Sequence, residues 1–127
     1  MKKVISTKNA PDAIGAYSQG IIVNGFLYAS GQIALVPQTG TVEAQNIEGQ
    51  TNQVMENIGG ILKAADLDYS DIVKMTVFLD DIDNFAKFNE IYATYLKEPY
   101  PARSVVAVAA LPKKVKVEIE MTAALRD

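Results

Sequence analysis

The chain has 127 residues, of which 49% are hydrophobic and 21% charged, and its formal net charge is −3. This length predicts a single domain spanning residues 1–127, with the composition of a globular protein. The chain contains no histidine and no cysteine, which excludes Ser-His-Asp and Cys-His nucleophile systems, disulfides and His- or Cys-based zinc sites. Acid–base chemistry would therefore depend on Asp, Glu, Lys or Tyr.

The charge balance and the hydrophobic pattern restrict the partners and the location. An acidic chain is a poor nucleic-acid binder, because such binding depends mostly on neutralising phosphates. No apolar stretch is long enough to cross a membrane, and the first residues lack the pattern of a secretory leader. We therefore expect a cytoplasmic protein that acts on small metabolites, with no nucleic-acid or membrane partner.

The first clear element is a β-hairpin. Asn24-Gly25 favours a two-residue type I′ turn and separates the apolar segments 21–23 and 26–29. A short extra strand is expected near residues 33–35.

A long amphipathic helix follows. Apolar residues at helical spacing predict it between residues 46 and 67. Gly59 and Gly60 lie inside its apolar stripe, where each costs about 1 kcal/mol relative to alanine. Two explanations remain open, a close approach of the helix to a sheet, which we favour, and a broken helix.

The second half of the chain predicts a strand, a helix and two more strands. The first strand covers residues 72–79, and the helix covers residues 83–96 with Asp83 as its N-cap. The last two strands cover residues 103–110 and 114–123.

Two helices can cover only one face of the resulting sheet. The strand at 103–110 is nevertheless apolar or small on both faces, and Ile72 and Phe78 are predicted to point away from Met75 and Val77. Because no helix is left to cover the second face, the sequence predicts a homo-oligomer that packs sheet against sheet.

Two charged residues are candidates for chemistry. Arg103 follows Pro101 and precedes a run of small apolar residues, so its guanidinium either reaches solvent or an acid, or binds a carboxylate bidentately in a small pocket. Glu118 lies with Glu120 on the polar face of the last strand. That face is either solvated or, if an oligomer buries it, able to orient water and move a proton.

Three further polar residues are weaker candidates. Tyr17 and Ser30 carry hydroxyls beside glycines, where a backbone can approach a ligand, although ordinary turns have the same composition. Asn89, on the second predicted helix, would by default be a surface residue.

Four segments together resemble the reactive intermediate deaminase family, the RidA group of enamine and imine deaminases. These are residues 9–33, 71–92, 100–112 and 117–120, and the resemblance extends from about residue 7 to residue 123. The most specific are YPARSVVAVAALP and the later VEIE.

The resemblance implies an α+β, chorismate-mutase-like fold with a mostly antiparallel sheet and two helices on one face. It also implies a homotrimer with inward-facing sheets and three active sites between subunits. The implied reaction is hydrolysis of 2-iminopropanoate, its tautomer 2-aminoacrylate and 2-iminobutanoate to 2-keto acids and ammonia, with no metal or organic cofactor.

By the same resemblance, Arg103 holds the substrate carboxylate and Glu118 helps to activate or place water. The residues implied in substrate binding are Tyr17, Ser30, Gly31, Asn89 and Val105. Many relatives have cysteine at the position of Val105, proline at that of Ala16 and arginine at that of Ala110, so these three positions depart from the family pattern.

Two other functions stay open. The same cleft could belong to a metabolite-binding regulatory module without turnover. Alternatively, the protein could be an RNA-cleaving translation inhibitor, an activity also attributed to relatives, although an acidic chain without a basic stripe disfavours this reading.

Overall fold

A computed structural model of the chain describes residues 1–126. It contains a six-stranded sheet, a separate two-stranded ribbon and two helices. The strands are β1 (Lys3–Ile5), β2 (Gly20–Val23), β3 (Phe26–Gln32), β4 (Leu35–Val36), β5 (Thr41–Val42), β6 (Ile72–Leu79), β7 (Ala102–Ala107) and β8 (Val117–Ala124), and the helices are α1 (Ile47–Ala64) and α2 (Phe85–Ala93).

The large sheet has the strand order β1-β2-β3-β8-β6-β7, and β4 pairs with β5. Every neighbouring pair is antiparallel except β6 and β7, which run parallel. Both helices lie on one side, where apolar residues of β3, β6 and β8 pack against α1 and α2. The α+β class, the mostly antiparallel sheet and the two helices are therefore confirmed.

The hairpin forms as predicted. Asn24 and Gly25 both have positive φ, 52° and 83°, as a type I′ turn requires. The flanking strands pair Val23 with Phe26 and Ile22 with Leu27.

Helix α1 is continuous through both glycines. Its N-cap is Asn46, whose side chain accepts a hydrogen bond of 2.7 Å from the backbone N–H of Gly49. A methyl group at Gly60 would collide with the backbone carbonyl of Asn9, and one at Gly59 would collide with the Tyr69 hydroxyl. The glycines thus permit close approach, but to two loop segments and not to the sheet as we expected.

The start of α2 differs from the prediction. The Asp81 side chain accepts a 2.9 Å hydrogen bond from the Asp83 N–H and begins a short 3₁₀ turn, residues 82–84. The α-helix begins only at Phe85 and ends at Ala93, so Asp83 is not its N-cap. The reason is that Asp81 and Asp83 compete as caps. The Asp81 side chain accepts the hydrogen bond from the Asp83 N–H, so the first helical turn starts at Asp81.

Strand bounds are the other differences. The strand predicted at 103–110 ends at Ala107, and the one predicted at 114–123 begins at Val117, after a 3₁₀ turn over residues 112–114. The strand expected near residues 33–35 lies at Leu35–Val36 and pairs with Thr41–Val42. Neither that partner nor β1 was predicted, because two or three residues are too few to show a period.

The face of the large sheet opposite the helices is open in the single chain. Phe26, Tyr28 and Val106 are 37%, 47% and 44% exposed. We expected Ile72 on this open face, but it lies in the core. The reason is that the register of β6 against β8 shifts between Ile72 and Lys74. Neither helix in the described residues is long and apolar enough to cross a membrane.

Candidate active site

Arg103 lies on the helix side of the edge strand β7. Its register partner is the buried Met75, so its side chain points toward α2 and not toward the open face. One guanidinium nitrogen, Nη1, donates a 2.7 Å hydrogen bond to Asn89 Oδ1. The guanidinium carbon lies 5.0 Å from the ring centre of Tyr92 and 5.4 Å from that of Phe85.

These three partners follow from helical geometry. Phe85, Asn89 and Tyr92 are separated by four and three residues, so α2 presents them on one face. Each cation–π contact contributes roughly 0.5–2 kcal/mol and restricts the orientation of the planar guanidinium. The Tyr92 hydroxyl donates to the sulfur of Met75, which ties this ring to β6.

Among residues 1–126 the Arg103 guanidinium has no acidic partner. Ion pairs among residues 1–126 involve Arg126 with Asp68 and Asp71, and no carboxylate lies within 4.0 Å of Arg103. A cation fixed by an amide oxygen and two aromatic rings keeps donor capacity for an external anion. It lines a cavity of about 470 Å³ with Asn89, Tyr92, Ala93, Leu96, Tyr100 and Pro101.

Glu118 lies on the other face of the sheet. It is the second residue of β8 and pairs in register with Phe78 of β6, and its carboxylate rests against Gly31 of β3. A side chain at position 31 would collide with Glu118 Oε2, so the glycine provides the space that this carboxylate occupies. Both residues line a smaller cavity, of about 170 Å³, together with Pro11, Asp12, Tyr17, Gln19, Gln32, Ile33, Leu35 and Pro112.

The electrostatics of Glu118 suit proton transfer. Partial burial raises the pKa of its carboxyl above the usual range, and the negative charge of Glu120 on the same face raises it further. A carboxyl with a raised pKa is a better proton acceptor once ionised than one with an ordinary pKa.

Ser30 supports the loop that carries Tyr17. Its hydroxyl donates a 2.5 Å hydrogen bond to the backbone carbonyl of Ser18, and its N–H donates to the carbonyl of Gln19 at 3.0 Å. The Ser30 proton is therefore engaged by the protein, which leaves its oxygen as an acceptor only.

Gln19 is a structural residue that the sequence reasoning missed. It is 4% exposed, and its Nε2 donates to the backbone carbonyls of Thr7, Ala10 and Pro11 over 2.7–3.2 Å. Its Oε1 accepts from the Thr7 N–H at 2.7 Å. This one amide fixes the course of the loop before β2, and nothing in the sequence marks it as buried.

Val105 packs against the core. It is half-buried and pairs in register with the buried Val77, so its side chain points toward the helices. Because β7 is an edge strand of the sheet in the described residues, one row of its backbone groups has no strand partner.

The structure thus separates the candidate residues into two groups. Arg103 and Asn89 share the larger cavity, whereas Tyr17, Gly31 and Glu118 share the smaller one on the other face. Phe85 and Tyr92, which hold Arg103, were not among the site residues predicted from the sequence. Their spacing on the helix is also that of core residues, so the sequence carried no signal that separates them from packing.

The fold and the two cavities define an α+β protein with one cavity lined by an arginine at the edge of its sheet and a separate cavity lined by a glutamate. A sequence model described as Endoribonuclease L-PSP matches residues 7–125. The chain belongs to this family, which is also the RidA family, and the resemblance noted from the sequence is confirmed.

Several relatives are similar along nearly their whole length. The chain is 52% identical to the "Putative regulator AldR" of Lactococcus lactis, covering 98% of this chain and 99% of the relative. It is 46% identical to the human protein named "2-iminobutanoate/2-iminopropanoate deaminase", covering 97% and 90%.

Solved structures agree with the fold. A conserved Rid-family protein of unknown function from Yersinia pestis superposes with a TM-score of 0.96 at 52% identity, covering 98% of this chain and 100% of the other. The Escherichia coli protein TdcF, solved with bound serine, superposes with a TM-score of 0.92 at 45% identity, covering 98% and 99%.

Proposed function

We propose that the protein is a deaminase that hydrolyses 2-iminopropanoate, its tautomer 2-aminoacrylate and 2-iminobutanoate to 2-keto acids and ammonia. The observation that carries the proposal is the Arg103 guanidinium, which neutral partners hold in a cavity where the described part of the chain provides no acidic partner. The names of several relatives, among them the human one, support this reaction.

The active form in this proposal is a homotrimer with the chorismate-mutase-like arrangement, in which the open sheet faces point inward. Exposed Phe26, Tyr28 and Val106 give that face apolar area to bury. The Arg103 cavity of one subunit would join the Glu118 cavity of its neighbour, because one chain holds the two groups on opposite faces. Three equivalent sites would follow from the symmetry.

The reaction would begin with the substrate carboxylate bound to the Arg103 fork. The enamine tautomerises to the imine, and protonation of the imine nitrogen makes its carbon electrophilic. A water held near Glu118 adds to that carbon while the Glu118 carboxylate accepts one of its protons.

Glu118 then returns the proton to the amino group of the adduct. The C–N bond breaks and ammonia leaves, while the hydroxyl oxygen gives its proton to solvent water and becomes the keto oxygen. This proton balances the one that the imine nitrogen takes from solvent before the water adds. Positioning and proton transfer suffice because imines already hydrolyse readily in water, so no metal or organic cofactor is needed. The proposal keeps the cytoplasmic location expected from the sequence.

A coupled assay tests the proposal. A serine or threonine dehydratase generates the imine in situ, and keto-acid formation is followed with and without the protein. We expect clear acceleration by the wild type and not by an Arg103→Ala variant. Binding of keto acids without any acceleration would instead identify a regulatory binding module, and salt-sensitive RNA cleavage would identify the ribonuclease alternative.

A further inference from the structure

We propose that the turn between β7 and β8 is a positioning element of the Glu118 cavity. Its strained backbone at Lys113 and Lys114 fixes Pro112 in the wall of that cavity and fixes the start of the strand that carries Glu118. This inference rests on the proposed function, because it assigns to the turn an effect on the rate of the proposed reaction.

Two successive lysines in the turn have the left-handed backbone conformation. The φ angle is 54° at Lys113 and 56° at Lys114. This conformation is unfavourable for residues with a Cβ atom, although glycine adopts it freely and asparagine and aspartate tolerate it through their short polar side chains. Lysine has neither advantage. Such strain persists only where the surrounding structure imposes it, and it is concentrated at functional sites.

The lysine side chains do not explain the conformation. Both are exposed, and neither takes part in the ion pairs found in the part of the chain that the structure describes. The constraint must therefore come from the backbone on either side of the two lysines.

The turn is closed by its own hydrogen bonds. The Lys114 N–H donates to the carbonyl of Leu111 at 3.0 Å, and the Val115 N–H donates to the carbonyl of Pro112 at 3.2 Å. Val115 is 1% exposed, so the turn is anchored in the protein interior directly after the strained pair.

The next residue, Lys116, is held from two sides. Its N–H donates a 2.8 Å hydrogen bond to Oε1 of Gln50, and its carbonyl accepts one of 3.2 Å from the N–H of Asp80. Gln50 belongs to α1, is 4% exposed and donates through Nε2 to the carbonyl of Ala44 at 3.1 Å. A buried amide thus clamps the chain two residues before Glu118.

The consequence falls on the smaller cavity. Pro112 and Glu118 line the same space of about 170 Å³. In so small a space, a shift of the proline or of the strand start would move a water molecule relative to the Glu118 carboxylate. A misplacement of about 1 Å can cost on the order of 100-fold in rate.

The test compares two substitutions that remove the same charge. Lys114→Val introduces a β-branched side chain, which disfavours the left-handed conformation, whereas Lys114→Asn keeps that conformation accessible. In the coupled imine assay we expect kcat of Lys114→Val to fall about tenfold or more, while kcat of Lys114→Asn stays within about twofold of wild type. KM should change less than about threefold in both, because the carboxylate binds in the separate Arg103 cavity.

Asp66→Val is the matched control for general destabilisation. Asp66 also has a positive φ, of 58°, but it lies just after α1 and lines neither cavity. We expect Asp66→Val to lower the melting temperature as Lys114→Val does while leaving kcat within about twofold of wild type.

Gln50→Met releases the same segment by another route and serves if Lys114→Val does not fold. It removes the hydrogen bond to the Lys116 N–H while keeping a side chain of similar length. We expect kcat to fall about tenfold, again with little change in KM. In the double variant the loss should be smaller than the product of the two single losses, because both substitutions release one segment.

The outcomes separate this inference from the proposed function. If the wild type hydrolyses imines and Lys114→Val has the same kcat as Lys114→Asn, the turn has no positioning role and the deaminase proposal is untouched. The inference is equally wrong if Asp66→Val lowers kcat as much as Lys114→Val, or if Gln50→Met leaves kcat unchanged. If the wild type hydrolyses no imine, the proposed function fails, and this inference fails with it.

Discussion

Arg103 and Glu118 lie on opposite faces of the same sheet. Arg103 pairs with Met75 on the side of the helices, whereas Glu118 pairs with Phe78 on the open side. Two side chains arranged in this way cannot act on one small molecule within a single chain. The proposed reaction therefore requires a second copy of the protein, and the first prediction tests this requirement directly.

Mixed assemblies of two inactive variants should recover activity. Arg103→Ala and Glu118→Gln subunits carry different tags and are co-expressed, and trimers containing both tags are purified. Each mixed trimer would hold one interface with both native groups, so about one site in three should work. Mixed trimers no more active than either parent would contradict a site shared between subunits.

Replacing Arg103 with lysine should impair the enzyme although the charge is kept. Lysine loses the planar fork, the hydrogen bond to Asn89 and the fixed position between two rings. We expect kcat/KM to fall by about 30- to 150-fold, equivalent to about 2–3 kcal/mol, mostly through KM. Arg126→Lys, a surface substitution away from both cavities, is the control, and steady-state kinetics provide the measurement.

Gly31→Ala should act through Glu118. The new methyl group occupies the space of the Glu118 carboxylate, so we expect that group to move and kcat to fall about tenfold or more. The substitution should lower activity much less in a Glu118→Ala background, because the collision is then absent. Equal losses in both backgrounds would show that Gly31 acts independently of Glu118.

The pH dependence should report the environment of Glu118. Because the pKa of Glu118 is raised, the folded protein binds the Glu118 proton more tightly than the unfolded chain does. The protonated carboxyl therefore stabilises the fold at low pH, and this stabilisation is lost as the pH rises from the pKa of Glu118 in the unfolded chain to its pKa in the folded protein. The proposed reaction requires the ionised form of Glu118, so kcat/KM should fall with decreasing pH at a pKa above about 4.3, the ordinary glutamate value.

The Glu120→Gln substitution should move the fall in kcat/KM to lower pH, because it removes a negative charge that raises the Glu118 pKa. Glu43→Gln, an exposed glutamate outside both cavities, serves as the control. If kcat/KM of the Glu120→Gln variant falls at the same pH as in the wild type, Glu118 is not the titrating group.

Gln19→Ala should destabilise the protein more than a surface substitution of the same type. It leaves the Thr7 N–H and three backbone carbonyls without their partner, and we expect a loss of about 2–3 kcal/mol in the free energy of unfolding. The melting temperature should fall by roughly 6–15 °C. The exposed Gln45→Ala is the comparison, and both are measured at one protein concentration because the proposed assembly would contribute to apparent stability.

The sequence predicted the elements whose signals are local. Asn24-Gly25 specified the hairpin through positive φ, and the apolar spacing in residues 46–67 specified α1. The prediction was wrong where two local signals competed, as at Asp81 and Asp83, and it missed β1 and β5, which are too short to show a period.

The candidate site was accessible from the sequence only in part. Arg103 was a candidate because a long cationic side chain precedes a run of small residues. The roles of Asn89 and Glu118 came from the family resemblance. Phe85 and Tyr92 have the same spacing as core residues, so their contact with Arg103 could not be distinguished from packing. Gln19 could not be recognised because burial of a loop amide depends on distant backbone atoms.

By itself, the amino-acid sequence determined the local elements, the class of fold and which side chains are available for chemistry. Only the tertiary structure decided on which face each of them lies. Side chains alternate along a strand, so the face follows from register, and register depends on pairing between segments far apart in the chain. The parallel pairing of β7 with β6 and the antiparallel pairing of β8 direct Arg103 and Glu118 to opposite sides.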